Sequence, residues 1–214
     1  MDFSDFLKYV PKIKQEKLLG DQAHLKMVPV ERILEVEKFN TSSNNPRKAA
    51  VMMLIYPKNN TCHLALIVRN TYPGIHSAQI GFPGGKVELE DKSLTHTALR
   101  ETYEEIGIPP EKIEVIKPFT AVFIPPSNFI VAPFLGISYS ELEFIEQEEE
   151  VAGIIEFPLL DFLNEKTIVK KIMDTSYGNN IEVPTFKINE HYVWGATAMM
   201  MSELKEVLKS SFKN

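Results

Sequence analysis

Gly81–Ile108 reads GFPGGKVELEDKSLTHTALRETYEEIGI, a glycine-rich loop running into a helix. Pro83 stiffens the loop, while Gly84 and Gly85 admit positive φ and a close backbone approach. Ser93 is placed to N-cap a helix starting at Leu94, and Gly107, just ahead of Pro109-Pro110, stops it after Ile106. Within that helix Glu101, Glu104 and Glu105 stand at i, i+3 and i+4, so the spacing sets their carboxylates about one turn apart on one face. Like charges so close repel, and a hard divalent ion with oxygen ligands is the usual compensation. Taken alone, such a helix reads equally as a solvated acidic face. The loop shifts the balance, because it sets backbone carbonyls and amides beside the carboxylates, which a plain surface helix does not need.

Short apolar runs surround this segment. Ala49–Tyr56 and Cys62–Arg69 are joined by PKNNT in a hairpin-like arrangement. Further strand-like runs fall at Val115–Lys117, Thr120–Ile124, Phe129–Tyr139, Gly153–Phe157, Thr167–Met173 and Ile181–Ile188. The later helical segments are Leu94–Ile106 and Ala196–Leu208, with a short piece at Leu159–Leu163. Strands interleaved with a few helices predict a mixed sheet flanked by helices, an α/β fold. Phe3, Phe6, Leu7, Val10 and Ile13 recur at helical spacing, predicting an amphipathic N-terminal helix despite Pro11. Phe39–Arg47 (FNTSSNNPR) is a cluster of loop formers. The division expected is a helical extension over 1–44, packed on a main domain over 45–214.

A chain of 214 residues that is 44% hydrophobic can bury a substantial core, which excludes disorder as its main state. With 23 Lys+Arg against 29 Asp+Glu the net charge is −6. Affinity for long nucleic acid comes largely from basic residues displacing counterions, so this balance argues against such a partner. A small phosphorylated ligand stays open, since a bound metal reverses the local field. Cys62 is the only cysteine, which excludes an intrachain disulfide and a zinc ribbon. Charges interrupt the N-terminal segment, and no run approaches the roughly 20 apolar residues of a membrane span. These features predict a cytoplasmic protein without a membrane partner, and an exposed apolar face would suit a homodimer.

The loop–helix segment resembles the signature of the Nudix hydrolases, Gly-x5-Glu-x7-Arg-Glu-U-x-Glu-Glu-x-Gly-U, where U is apolar. Arg100–Ile108 matches its second half, with Thr102 in an apolar slot. In the first half, Gly85 is followed after five residues by Asp91 rather than Glu, and eight residues rather than seven separate Asp91 from Arg100. That departure, together with Phe82–Gly85, is similar to the coenzyme A pyrophosphatase branch. The upstream signature of that branch is matched at Leu66 and Arg69 but not at Ile67, Asn70, Gly74 or Ala78. The stretch His191–Leu204 (HYVWGATAMMMSEL) also resembles the start of that branch's tail helix.

The resemblance implies a Nudix-like α/β/α sandwich and a Mg²⁺-dependent pyrophosphohydrolase, with Mn²⁺ as a substitute metal. Its substrate would be a nucleoside diphosphate linked to another moiety. Coenzyme A or a derivative is foremost, giving 4′-phosphopantetheine and 3′,5′-ADP. ADP-ribose, NADH or nucleoside triphosphates are the alternatives within the enzyme class, and a non-catalytic nucleotide sensor is the alternative outside it. Glu101, Glu104 and Glu105 would hold the metal, with a carbonyl of Gly84 or Gly85. Arg100 would orient Glu101 through a charge-assisted pair. Arg69, Lys86, Phe82 and Gly84 would meet the substrate. Glu101 and a carboxylate of the Glu146–Glu150 run, Glu150 above all, are the candidate bases. His76 is placed where that branch often has a histidine, while His24, His63, His96 and His191 read as structural or surface residues and Trp194 as core.

Overall fold

Strand β1 (Arg47–Lys58) alternates with a period of two, yet both of its faces are buried. Ala49, Val51, Met53 and Ile55 enter one hydrophobic core, and Ala50, Met52, Leu54 and Tyr56 enter another. A strand apolar on both faces belongs at the centre of a sheet covered on both sides. The computed structural model describes residues 1–33, 45–70, 79–176 and 178–213. Residues 34–44, with most of the Phe39–Arg47 loop, lie outside the described residues, as do His76, Gly74 and Ala78.

β1 turns at Asn59-Asn60 into β2 (Thr61–Arg69), both asparagines having positive φ as a tight two-residue hairpin requires. Along its other edge β1 runs parallel to β7 (Phe129–Ile137) over its whole paired length. β2 carries the short β3 (Ile80–Gly81) and, on its far edge, β8 (Val151–Pro158). β4 (Gly84–Lys86) pairs with the first half of β1, before β2 takes over that edge. β5 (Glu114–Pro118) and β6 (Val122–Ile124) both pair with β7. Among the described residues this makes an eight-stranded mixed sheet. A separate antiparallel sheet comprises β9 (Ile168–Thr175), β10 (Gly178–Ile188) and β11 (His191–Val193).

The acidic helix spans Leu94–Ile106 and covers the second core with Ala98 and Ile106. Its ends follow the expected chemistry: Ser93 Oγ accepts from the His96 amide, and Gly107 closes the helix at φ +71°. The first core is covered by the C-terminal helix (Gly195–Phe212), through Met199–Met201, Leu204, Val207 and Leu208, and by the N-terminal segment. That segment differs from the single helix expected. It forms two helices, Phe3–Leu7 and Val10–Gln15, because Pro11 lacks an N–H and is tolerated only in a first turn. The apolar spacing survives the break, with Phe3, Phe6, Val10 and Ile13 all buried. Among the described residues no helix is long and apolar enough to cross a membrane.

Glu203 of the C-terminal helix ties these layers together although it is fully buried. Its carboxylate accepts the amides of Gly20 at 2.6 Å and Thr120 at 2.9 Å and the Thr120 hydroxyl at 2.7 Å, with His24 Nε2 at 3.6 Å. Burial opposes ionisation, but the His24 ring, the Thr120 hydroxyl and the two amides outweigh it and hold the carboxyl down at about 2. A depressed folded-state pKa stabilises the fold above the unfolded value near 4.5, and that stabilisation is lost as the pH falls towards 2. Urea melts between pH 5 and 2 test this. Wild type should lose about 3 kcal/mol more than Glu203→Gln across that window, and parallel curves would refute the role given to Glu203.

Candidate active site

The Gly-rich loop passes through a slot between β1 and the acidic helix that is too narrow for a side chain. Gly84 has φ +151°, and a Cβ there would lie 2.4 Å from the Ala50 carbonyl oxygen. At Gly85 a Cβ would lie 2.4 Å from Glu101 Oε2. The Pro83 carbonyl accepts the Met52 amide at 2.8 Å, anchoring the loop to the strand. In return the Gly84 amide donates to Glu105 Oε2 at 2.7 Å, and the Gly84 carbonyl accepts from Arg69 Nη2 at 2.8 Å. Loop, strand and helix therefore meet at one residue.

Glu105 is almost completely buried. Its Oε1 accepts no hydrogen bond among the described residues, although Arg69 Nη2 stands 3.4 Å away. Burial pushes this carboxyl up to about 7 against Arg69 and the Gly84 amide, both of which favour the anion. Glu101 is also buried and its pKa is raised, again chiefly by burial, with Arg100 pulling the other way. Glu104 is half-exposed, and its Oε2 accepts from Arg100 Nη1 at 2.8 Å. The helical spacing thus delivers two buried carboxylates and one at the surface, because the helix face that carries them is only partly covered by the loop.

Arg100 is held on three sides. It makes a two-pronged pair with Asp91, Nε to Oδ1 at 3.0 Å and Nη2 to Oδ2 at 2.9 Å. Its Nη2 also donates to the Lys86 carbonyl at 3.1 Å, and its Nη1 lies 3.1 Å from Glu101 Oε1. Asp91, whose side chain has no exposed surface, further accepts from the Glu88 amide and the Thr97 hydroxyl and contacts His96 Nδ1, each at 2.9 Å. The Arg100 guanidinium, more than any other neighbour, keeps its carboxyl well below the usual range. The residue that departs from the family signature is therefore the anchor of the arginine. Its role could have been found by asking which carboxylate serves Arg100, and His96, expected to be structural or at the surface, is part of the same anchor.

These groups line one cleft of about 820 Å³. Glu101, Glu104, Glu105, Arg100, Arg69, Lys86, Glu150, Gly84, Gly85 and Phe82 all contribute to its wall. Phe82 does so from within the first core. Glu150 is exposed, and its carbonyl accepts the Asn70 amide at 2.9 Å, which ties the acidic run to the end of β2. Trp194, expected in the core, is instead half-buried on the cleft wall. Its periodicity could not show this, since it directly precedes the helix rather than lying on its apolar face. Arg32 and Asp174 reach the same cleft from distant parts of the chain, without a local sequence signal. Among the described residues no three His, Cys, Asp or Glu side chains converge as a ready-made cation cage.

Comparison with known proteins agrees with this architecture. Residues 46–175 match the NUDIX domain family. The NudL protein of Enterobacter sp. (strain 638), an uncharacterized Nudix hydrolase, is 33% identical over 165 residues, covering 75% of this chain and 82% of that protein. NudL of Cronobacter sakazakii (strain ATCC BAA-894), likewise uncharacterized, is 34% identical over 171 residues, covering 78% of this chain and 85% of that protein. Among solved structures, the Nudix hydrolase RenU from M. Smegmatis superposes with a TM-score of 0.53 at 14% identity, covering 79% of this chain and 89% of that one. A MutT/nudix family protein from Enterococcus faecalis gives 0.53 at 16% identity, covering 85% and 70%. The structural likenesses speak for the fold, and the domain match with the NudL relatives speaks for descent: the chain belongs to the Nudix hydrolase family, enzymes that act on the pyrophosphate bonds of nucleoside diphosphate derivatives.

Proposed function

We propose that this protein is a Mg²⁺-dependent pyrophosphohydrolase of a nucleoside diphosphate joined to a second moiety, with coenzyme A or a derivative as substrate. The observation that carries the reading is Glu105 Oε1, a buried carboxylate oxygen on the cleft wall that accepts no hydrogen bond among the described residues. Burying such an atom is costly unless a ligand completes it. A divalent cation fits that requirement, and Glu101 stands on the same wall. Mg²⁺ takes one or two carboxylates, several waters and the substrate's phosphates, a demand that Glu101 and Glu105 can meet. Glu105 and Glu101 would hold the ion, with Glu104 at the exposed edge and a Gly84 or Gly85 carbonyl as a further donor. When bound, the metal offsets charge on the diphosphate and makes a coordinated water more acidic; Mn²⁺ would serve in its place.

The chain's own groups supply the rest. The Gly84 amide fixes the rotamer of Glu105, and Arg100, fixed in turn by Asp91, aims Glu101. Arg69 and Lys86 meet substrate phosphate with positive charge at the cleft wall. Glu101 and Glu150, both on the cleft wall, are the candidates to take a proton from attacking water. Support for coenzyme A comes from Phe82–Gly85 and the tail-helix sequence, while the unmatched positions of the upstream signature favour ADP-ribose, NADH or nucleoside triphosphates as the second reading.

Purified protein with Mg²⁺ should release 4′-phosphopantetheine from coenzyme A. A clear preference for ADP-ribose would overturn the substrate while leaving the reaction. Glu105→Gln and Glu104→Gln should each lower turnover by roughly 100-fold or more with the circular dichroism unchanged, and near-normal rates would remove the metal assignment. Asp91→Ala should lower Tm by roughly 5–10 °C, since it removes the two-pronged partner of a largely buried guanidinium, and should lower kcat as well. Asp91→Glu should recover part of both. Wild-type Tm and kcat in Asp91→Ala would show that Arg100 does not need its anchor.

A further inference from the structure

The carboxylates, Arg69 and Lys86 account for only part of the cleft wall. A cleft of about 820 Å³ lies towards the upper end for small-molecule sites, well beyond the needs of a diphosphate alone. Its remaining wall includes Trp194, Phe129, Met200 and the polar residues Asp174 and Ser176. We propose that Trp194, seconded by Phe129, is the platform on which the substrate's nucleobase stacks, and so a specificity-determining residue. The identity of the ligand as a nucleotide rests on the pyrophosphohydrolase reading above.

Four observations support this assignment. Among the described residues Trp194 is half-buried on the cleft wall and belongs to neither hydrophobic core. The backbone that carries the ring is anchored on both sides. Val193 on one side and Ala198 on the other are completely buried, and Gly195, at φ +63°, turns the chain from β11 directly into the C-terminal helix. Phe129, on the same cleft, has the Arg47 guanidinium 4.1 Å over its ring, which fixes it as a second flat surface. Finally, the two parts of the cleft are continuous through Gly81. A methyl group there would lie 3.9 Å from both Arg69 Nε, beside Glu105, and Thr197 Oγ1, in the first turn of the C-terminal helix.

Rigid aromatic surface of this kind favours a planar π-system over a flexible aliphatic chain, and Asp174 and Ser176 supply hydrogen-bonding groups for a base's edge. The base would then sit at the Trp194 end while the diphosphate lies along Arg69 and the acidic helix. Such an arrangement selects substrates by the base and leaves the second moiety to the rest of the cleft.

Trp194 is the only tryptophan in the chain, so its fluorescence reports this site directly. The full-length protein in EDTA, excited at the red edge of the indole band, is titrated with AMP and separately with 4′-phosphopantetheine. Saturable quenching by AMP, absent with 4′-phosphopantetheine and weakened in Phe129→Ala, is expected. No saturable change with AMP, or an equal change with 4′-phosphopantetheine, overturns the proposal. With metal, Trp194→Ala should raise KM for the hydrolysed substrate by roughly 5- to 100-fold with kcat within about 3-fold, and Trp194→Phe should keep most of the affinity. An unchanged KM in Trp194→Ala also overturns it. The metal-free titration does not depend on turnover. If wild type hydrolyses no diphosphate but AMP still quenches, the reaction is wrong and the platform stands.

Discussion

The slot occupied by Gly84 and Gly85 is the constraint on which the rest of the site depends. On one side the backbone of the central strand leaves no room for a Cβ at Gly84, and on the other a Cβ at Gly85 would displace the carboxylate of Glu101. Only because the loop lies this deep can the Gly84 amide reach Glu105 and its carbonyl reach Arg69. The same closeness removes water from around Glu101 and Glu105 and raises their pKa values. Fold and site are coupled through this contact, since the residue pairing of β4 with β1 is also what puts the loop against the acidic helix.

Around the slot, charge is arranged in layers. Asp91 has no exposed side-chain surface and spends its acceptor capacity on Arg100, Thr97, His96 and the Glu88 amide. Arg100 then presents its remaining edge to Glu101 and Glu104. One cation so placed fixes two carboxylates without cancelling Glu105, whose second oxygen stays without a hydrogen bond among the described residues. A fully paired cluster would be more stable and would have little affinity left for a metal or a phosphate. The net charge of −6 counts against long nucleic acid, yet under the proposed function part of the acidic excess would serve locally to attract a phosphorylated ligand through a cation.

Away from the carboxylates, the cleft is assembled from segments far apart in the chain. β3 and β7 of the large sheet, the Asp174–Ser176 stretch and the start of the C-terminal helix all contribute to it. Glu203 helps to hold that helix in place, joining it to Gly20 and Thr120. The N-terminal helices pack on the same side, with Phe6 and Tyr9 against Phe212. The surface beyond the Nudix signature is thus positioned by long-range packing, and it is here that members of a fold family can differ in what they bind.

Much was legible in the amino-acid order alone. Local chemistry determined the helix Leu94–Ile106, because Ser93 and Gly107 are terminating signals that act within a few residues. Period-two burial and the Asn59-Asn60 turn determined the central hairpin in the same way. Spacing brought Glu101, Glu104 and Glu105 within a turn of one another, and the signature they complete named the family. Only the tertiary structure decided that Glu101 and Glu105 are buried while Glu104 is half-exposed, since burial depends on what the loop covers. It alone revealed Asp91 as the anchor of Arg100, which requires the loop to fold back across nine residues, and moved Trp194 from the core to the cleft. The break of the N-terminal helix before Pro11, by contrast, has a local cause that the apolar spacing obscured. Helical and strand periodicity record contacts made within a few residues, whereas a cleft is made by segments that meet only after the chain has folded.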